Sequence, residues 1–530
     1  MSRGPVSRSR KAITLAVFLF SAACVAWSWY SIRETVLERR REAAEQRRDA
    51  ERRRRDQFRQ ASVEKPREAA PSLAQEAFRK RKPVAGLVDA AEVFVATNLW
   101  TVHLRFTPDQ WAGIEPRYIE PLNRGEGGRF GLRNPAAKRS GLSGVRGLEF
   151  DWVHGTVEFE DRTFADVAIR YKGNGTYMRS QHMTKRPFKV DLNKYVKGEQ
   201  LAGRTTFNFA NLVSDDSCMH DAMAYEFFRA MGVPAPRTAY ARLFLSNGAM
   251  QSEYLGLYAI VENLDDDFAG VRFGTRKGVF FKPVTPDLFA DLGDDWAEYE
   301  PIYDPKSKPT EAQKRRVIDF ARLLTHADAP TFASRVGEFI DLDEFARFLA
   351  GMVLLSSYDG FLNNGQNFYL WLDADAQRFQ FIPWDLDNAW GKYGWAGPAS
   401  DRANASIRHP WMRRHALLER ILEVPQFRDR YLAELGRALD TLFIPERLHR
   451  RVDELAALLR PVVAEDSQRK APRFEQAVTA TAPVEAYQDS PEFGRNRPPH
   501  PLKWFITERA ASVRAQLRGE SEGIVLERWR

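Results

Sequence analysis

From Val93 to Phe106 apolar and polar positions alternate, with Val93 and Val95, then Val102, Leu104 and Phe106, on one side. This is the period-two pattern of strands with one buried face. Residues 156–159, 167–171, 188–192, 239–245 and 254–262 read the same way. Between them, 216–231 switches to helical spacing, with Met219, Ala222, Met223, Phe227 and Ala230 on one stripe and Gly232 and Pro234 as the stop. Beyond about residue 263 helical patterns dominate, at 311–325, 342–358, 415–442, 445–466 and 501–518. The chief exception is 368–383, two β-like arms around a turn at 373–377. An α+β fold follows, with a β-rich part over 93–262 holding one main helix, a mainly helical part over 263–519, and a tail at 520–530.

The segment upstream has a different texture. A basic head, 1–11, with Arg3, Arg8, Arg10 and Lys11, precedes an almost wholly apolar run, 12–30, that ends at Trp27, Trp29 and Tyr30. As a helix this run reaches about 28 Å, one hydrocarbon core, and the terminal aromatics suit a membrane interface. It predicts a single transmembrane anchor, the alternative being a cleaved signal sequence with Ala26 at the cleavage site. Basic residues flank both ends, with more of them C-terminal (Arg33, Arg39, Arg40, Arg41). That count favours a cytoplasmic body, whereas a short basic head before an apolar core also begins exported proteins. The expected localisation is a bacterial-type inner membrane, single-pass, with the body on either side. Residues 31–60 alternate Arg with Glu and Asp without sustained apolar heptad positions, a charged helical stalk, and 61–85 holds three prolines, a linker.

Charge and cysteines narrow the chemistry. Much of the excess Arg behind the formal net charge of +8 lies between Arg33 and Arg59, where no aromatic run interleaves the arginines, so no nucleic-acid partner is expected. The two cysteines, Cys24 and Cys218, give no disulfide partner and no Cys-based zinc site. HExxH, GxxxxGK[ST] and GxSxG are all absent, which removes the usual support for zincin, P-loop and serine-hydrolase readings.

Two acidic clusters carry the candidate chemistry: Asp359-Gly360-Phe361-Leu362-Asn363-Asn364 and, beyond the hairpin, Pro383-Trp384-Asp385-Leu386-Asp387. A carboxylate followed five residues on by Asn, then by a further carboxylate, is how protein kinases space a base and two metal ligands. Asp359 is the candidate base. Asn364, with Asn367 as alternative, and Asp385 are candidate ligands of Mg2+ or Mn2+. Asp387, two residues from Asp385, projects to the same side if the chain is extended there, so the two could share a cation. Taken singly, such residues as often punctuate turns or cap helices. For the cation on phosphate, Lys189 points away from its strand's apolar side and Lys185 is the rival. Glu226, bordering the helix's buried stripe, could pair with either lysine or lie at the core's edge. Gly173-Asn174-Gly175 could bring backbone N–H groups to phosphate or form an ordinary hairpin turn. Glu262, at a strand end, sits where a hinge would contact adenine, though an ordinary strand-end carboxylate is the default reading.

Together these residues resemble the CotH kinase family, named for spore coat protein H. The likeness runs through Arg170-Tyr171-Lys172-Gly173-Asn174, Lys185-Arg186-Pro187-Phe188-Lys189, Phe207-Asn208, Asp216-Ser217, Gly232-Val233-Pro234-Ala235-Pro236, Gly256-Leu257-Tyr258 with Glu262, Asp359-Gly360 with Asn364 and Asn367, and Pro383-Trp384-Asp385-Leu386-Asp387. The resemblance implies a bilobal protein-kinase-like fold, 93–262 as N-lobe and 263–519 as C-lobe, behind the N-terminal helix. It further implies ATP- and divalent-metal-dependent phosphorylation of Ser or Thr on a protein substrate, with Asp359 as catalytic aspartate and Asp385 as metal aspartate. The chain departs from the family pattern at His220, where Arg is usual, and at Gly175, where Ser is commoner. Two other readings remain: a non-catalytic surface, coat-assembly or adhesion protein on the same fold, and an ATP-dependent adenylyl-transfer or ligation enzyme.

Overall fold

The computed structural model describes residues 72–527 apart from 85, 120–146, 286, 467–469 and 483–497. The segments expected as anchor (12–30) and stalk (31–60) lie outside the described residues. Within the expected linker, Leu73–Arg79 is a helix, α1, because Ser72 and Gln75 cap each other's backbone N–H groups. The expected strand at Val93 also gives way: Asp89 caps a short helix, α2 (Ala90–Val93), and the strand β1 begins only at Leu99 (Leu99–Arg105).

The first part of the chain then runs α3 (Pro108–Gly113), β2 (Arg117–Tyr118), β3 (Leu148–Glu149), β4 (Val153–Phe159), β5 (Arg162–Tyr171), α4 (Gly175–Ser180), β6 (Phe188–Asp191), β7 (Thr206–Ala210), α5 (His220–Ala230), β8 (Thr238–Ser246) and β9 (Glu253–Glu262). Seven of these strands close a barrel in the order β1-β4-β5-β6-β7-β9-β8. All its pairings are antiparallel except β1 with β8, which run parallel from Leu99 opposite Tyr240 to Arg105 opposite Ser246. Val102, Leu104, Val157, Phe159, Val190, Phe207 and Leu243 are among the side chains packed into one core with the barrel's other apolar residues.

The second part is built of α6 (Asp266–Phe273), β10 (Gly278–Phe281), α7 (Trp296–Tyr303), α8 (Glu311–His326), α9 (Ala329–Phe339), α10 (Leu342–Leu354), β11 (Phe368–Asp373), β12 (Phe379–Pro383), α11 (Ala399–Ala403), α12 (Ala416–Leu422), α13 (Pro425–Thr441), α14 (Pro445–Asp466), α15 (Lys470–Thr479) and α16 (Leu502–Leu517). The hairpin gains a third strand, in the order β10-β11-β12. The single helix expected over 415–442 is two, because Pro425 has no N–H to continue the ladder and holds Val424 extended, at ψ 109°. A second, larger core runs through these helices and includes the buried face of α5, with Met223, Phe227 and Phe228. That helix therefore couples the barrel's strands to the helical part.

Candidate functional site

Asp359 lies a turn beyond α10, at the head of a tight loop in which the Asn364 N–H donates to the Gly360 carbonyl at 2.9 Å. Its carboxylate accepts from three side-chain amides: Asn364 Nδ2 at 3.0 Å and Gln366 Nε2 at 3.2 Å on Oδ1, and Asn388 Nδ2 at 2.9 Å on Oδ2. Asn388 also donates to Asp387 Oδ1 at 2.9 Å, so one amide bridges the two acidic clusters. Asn364 donates in addition to the Tyr393 hydroxyl at 3.1 Å, and the amide of Asn367 turns back to the Asp359 carbonyl.

The chain at Asp385 is not extended. Its φ is +55°, and helix α5 holds the bend: the Asp385 N–H donates to the Tyr225 hydroxyl at 2.9 Å, and the Leu386 N–H to Asp221 Oδ1 at 2.7 Å. Asp221 and Tyr225 stand four apart, hence on one helix face. The expectation that Asp385 and Asp387 share a side by strand alternation is thus corrected, because a left-handed residue breaks that alternation. The Asp387 carbonyl accepts from Lys392 Nζ at 2.6 Å.

Burial and mutual repulsion mark these carboxyls. Asp359 is pushed up to about 7, by burial first and then by the charges of Asp387 and Asp385. Asp387 is pushed up to about 6 by burial, opposed by Lys392 and reinforced by Asp385. Asp221 is raised well above the carboxylate range by burial, Asp385 and Asp387. Among the described residues no three His, Cys, Asp or Glu side chains converge closely enough to cage a metal ion. Crowded carboxylates beside carboxamides nevertheless fit a hard cation whose shell is completed by phosphate oxygens and water.

The other candidates divide. Lys189 reaches Asn263 Oδ1 at 3.0 Å, and burial, with Arg170 and Lys172 nearby, brings it down to about 7. Lys185 instead forms an ion pair with Asp466 at the end of α14. Glu226 pairs with neither lysine: Arg451 of α14 donates to it from Nε at 2.9 Å and from Nη2. At Glu262 the carboxylate is committed to a structural tie at the strand end. Both its oxygens are taken, Oε1 by Arg204 at 3.2 Å and Arg237 at 2.6 Å, Oε2 by the Arg237 backbone at 3.1 Å and side chain at 3.0 Å. Gly173, at φ +72°, lies just beyond β5 and Asn174 leads into α4, so Gly173-Asn174-Gly175 opens a helix rather than a hairpin. Sequence reasoning missed Asn388, Gln366 and Asp221 as site residues, and no local motif marks them.

The family described as CotH kinase protein matches residues 169–499, a span that holds all of these groups. The chain belongs to this family. Inner spore coat protein H of Bacillus subtilis (strain 168) is 24% identical over 312 residues, 58% of this chain and 80% of that protein. The crystal structure of the Helicobacter pylori proinflammatory kinase CtkA aligns with 64% of this chain and 96% of its own at 10% identity, with a TM-score of 0.20, too slight a likeness to bear on the fold.

In this CotH family member His220 is a structural tie. Its Nδ1 faces Ser217 Oγ at 3.0 Å and the Asp215 carboxylate at 2.5 Å, and its backbone N–H donates to Asp215 Oδ2 at 2.9 Å. The turn before α5 is thereby fixed at the point where Asp221 leaves for the acidic clusters. The expected single-pass inner-membrane localisation is corrected: no helix among the described residues is long and apolar enough to cross a membrane, and the relative is a protein of the inner spore coat.

Proposed function

We propose that this CotH family member is a protein kinase: it transfers the γ-phosphoryl group of ATP to a Ser or Thr hydroxyl of a protein substrate. On this reading the fold is a bilobal kinase-like one, with the barrel as N-lobe and the residues from 263 to 519 as C-lobe. The observation that carries it is the Asn388 bridge, which sets the Asp359 carboxylate beside Asp387 and Asp385 while Asn364 fixes its other oxygen. Asp359, oriented by three amides, takes the proton of the acceptor hydroxyl. Asp385 and Asp387, with Asn364 or Asn367, would hold Mg2+ or Mn2+, which supplies charge neutralisation on the phosphates. Lys189 stands as the barrel's cation for phosphate.

The full chain is incubated with γ-labelled ATP and Mg2+ or Mn2+ beside Asp359→Ala and Asp385→Ala. Label on the chain itself or on a generic protein acceptor, lost in both variants, is expected. No incorporation together with no ATP binding by calorimetry overturns the reading. That outcome favours the second one, a coat-assembly role without catalysis, which draws its support from the name of the Bacillus relative.

A further inference from the structure

Lys172 and Lys282 come from separate sheets and meet on one indole. Lys172 follows β5 of the barrel, its N–H held by the Pro187 carbonyl at 3.1 Å; Lys282 follows β10 of the small sheet, its N–H held by the Tyr303 carbonyl at 2.8 Å. Their ammonium groups lie over the Trp384 ring, 5.7 Å and 5.9 Å from its centroid, and Lys282 also lies 5.4 Å from that of Tyr369. Trp384 is only 8% exposed, packs edge-on against Tyr369 at 5.4 Å, and immediately precedes Asp385. Among the described residues neither ammonium hydrogen-bonds a carboxylate, a carbonyl or an amide, although each is half-buried.

Two desolvated cations on one ring, without hydrogen-bond acceptors, leave six N–H donors to be satisfied. Burial lowers Lys172, with Arg170 adding to the effect and Asp385 and Asp221 opposing it. Lys282 is brought down to about 8 by burial and by Lys306, against Asp385. Asp385 thus stands within electrostatic reach of two ammonium groups, Lys172 and Lys282, and of two carboxylates, Asp359 and Asp387. An ammonium is a compact charge that suits phosphate oxygens, so the two lysines suit the anionic end of a triphosphate.

We propose that Lys172 and Lys282, seated on Trp384, form a two-lysine clamp for the terminal phosphates of a nucleoside triphosphate. The inference rests on the phosphotransfer reading for its nucleotide but on the lysine geometry for its anion. One jaw belongs to the barrel and the other to the small sheet of the helical part, so occupancy by the anion ties the two together.

The test measures binding of ATP, AMP and inorganic tripolyphosphate to the full chain and to Lys172→Met and Lys282→Met, with thermal melting to verify folding. Each substitution is expected to weaken ATP and tripolyphosphate by about tenfold or more, the scale of one lost charge-assisted hydrogen bond, and to leave AMP within about twofold. Lys282→Arg is expected to restore part of the loss. Equal ATP affinity in wild type and both variants overturns the clamp and leaves the phosphotransfer reading intact. A matched loss of AMP and ATP also overturns it, as a general disturbance of the cleft. Lysine-dependent binding of ATP and tripolyphosphate upholds the clamp whether or not label is transferred from ATP. Binding of neither ATP nor tripolyphosphate by the wild type overturns the clamp.

Discussion

Lys185 and Asp466 form an ion pair between the approach to β6 and the end of α14, with side-chain exposures of 11% and 6%. Burial and Lys470 bring the lysine down to about 8, against the pull of Asp466. The same helix end receives the Ala74 N–H on Glu465 at 2.9 Å, and Arg451, further up the helix, holds Glu226. Helix α14 thus fastens α1, the barrel and α5 together, and Lys185 is one of its fixings.

Removing one partner of a buried pair strands the other. Asp466→Ala is expected to lower unfolding free energy by about 3 kcal/mol, toward the low end for such pairs because Lys185 can shed its proton. Lys185→Met is expected to reduce stability while leaving ATP affinity within about twofold, a small change on the binding scale. Urea denaturation with parallel calorimetry checks both, and a large loss of ATP affinity in Lys185→Met would return this residue to the phosphate site.

Asp359→Ala and Asn388→Ala separate chemistry from positioning. Loss of a general base costs roughly 100-fold or more in rate, so Asp359→Ala is expected to abolish measurable transfer. Asn388→Ala keeps the carboxylate but cuts its bridge to Asp387, and a smaller fall in kcat with KM for ATP little changed is expected. Steady-state kinetics on a generic protein acceptor would read the two; equal rates for wild type and Asn388→Ala would deprive the bridge of its role.

Glu344, 3% exposed on α10, accepts the Phe381 N–H on Oε2 at 3.1 Å, and burial raises its carboxyl well above the ordinary value of 4.5. With the folded value above the unfolded one, its contribution is complete below about pH 4.5 and declines as pH rises through the folded value. Glu344→Gln keeps an acceptor for Phe381 and cannot ionise. Its melting temperature relative to wild type is therefore expected to be higher at pH 8 than at pH 5, and a difference that is flat with pH would place the proton elsewhere.

What the sequence made legible follows from range. Helix α8 and the β11–β12 hairpin were readable because their signals are local: a 3.6-residue stripe in one case, alternation around a turn in the other. The parallel closure of β1 on β8 joins segments more than a hundred residues apart, and no local pattern encodes it. Strand β10, four residues long, gave too short a period to read. The acidic clusters were recognisable as motifs, yet the left-handed turn at Asp385 was not, since α5 imposes it through Asp221 and Tyr225. The sequence lets Glu226 pair with either Lys185 or Lys189 or lie at the core's edge, whereas α14 supplies partners for Lys185 and Glu226 that stand 281 and 225 positions away.

Gly256 gives that distant pairing its space. It sits in β9 at φ +111°, where the register against β8 shifts between Leu243 and Phe244. A Cβ there would lie 2.1 Å from Asp466 Oδ1 and 2.8 Å from Lys185 Nζ, so any side chain evicts the ion pair and strains the backbone together. Gly256→Ala is accordingly expected to cost about 3 kcal/mol or more, combining the strain with the broken pair. If the pair is the main loss, Gly256→Ala and Asp466→Ala will be strongly non-additive when combined. A double-mutant cycle in urea decides the matter: additive costs would mean that Gly256 serves the bulge alone and that the Lys185–Asp466 pair survives beside a side chain.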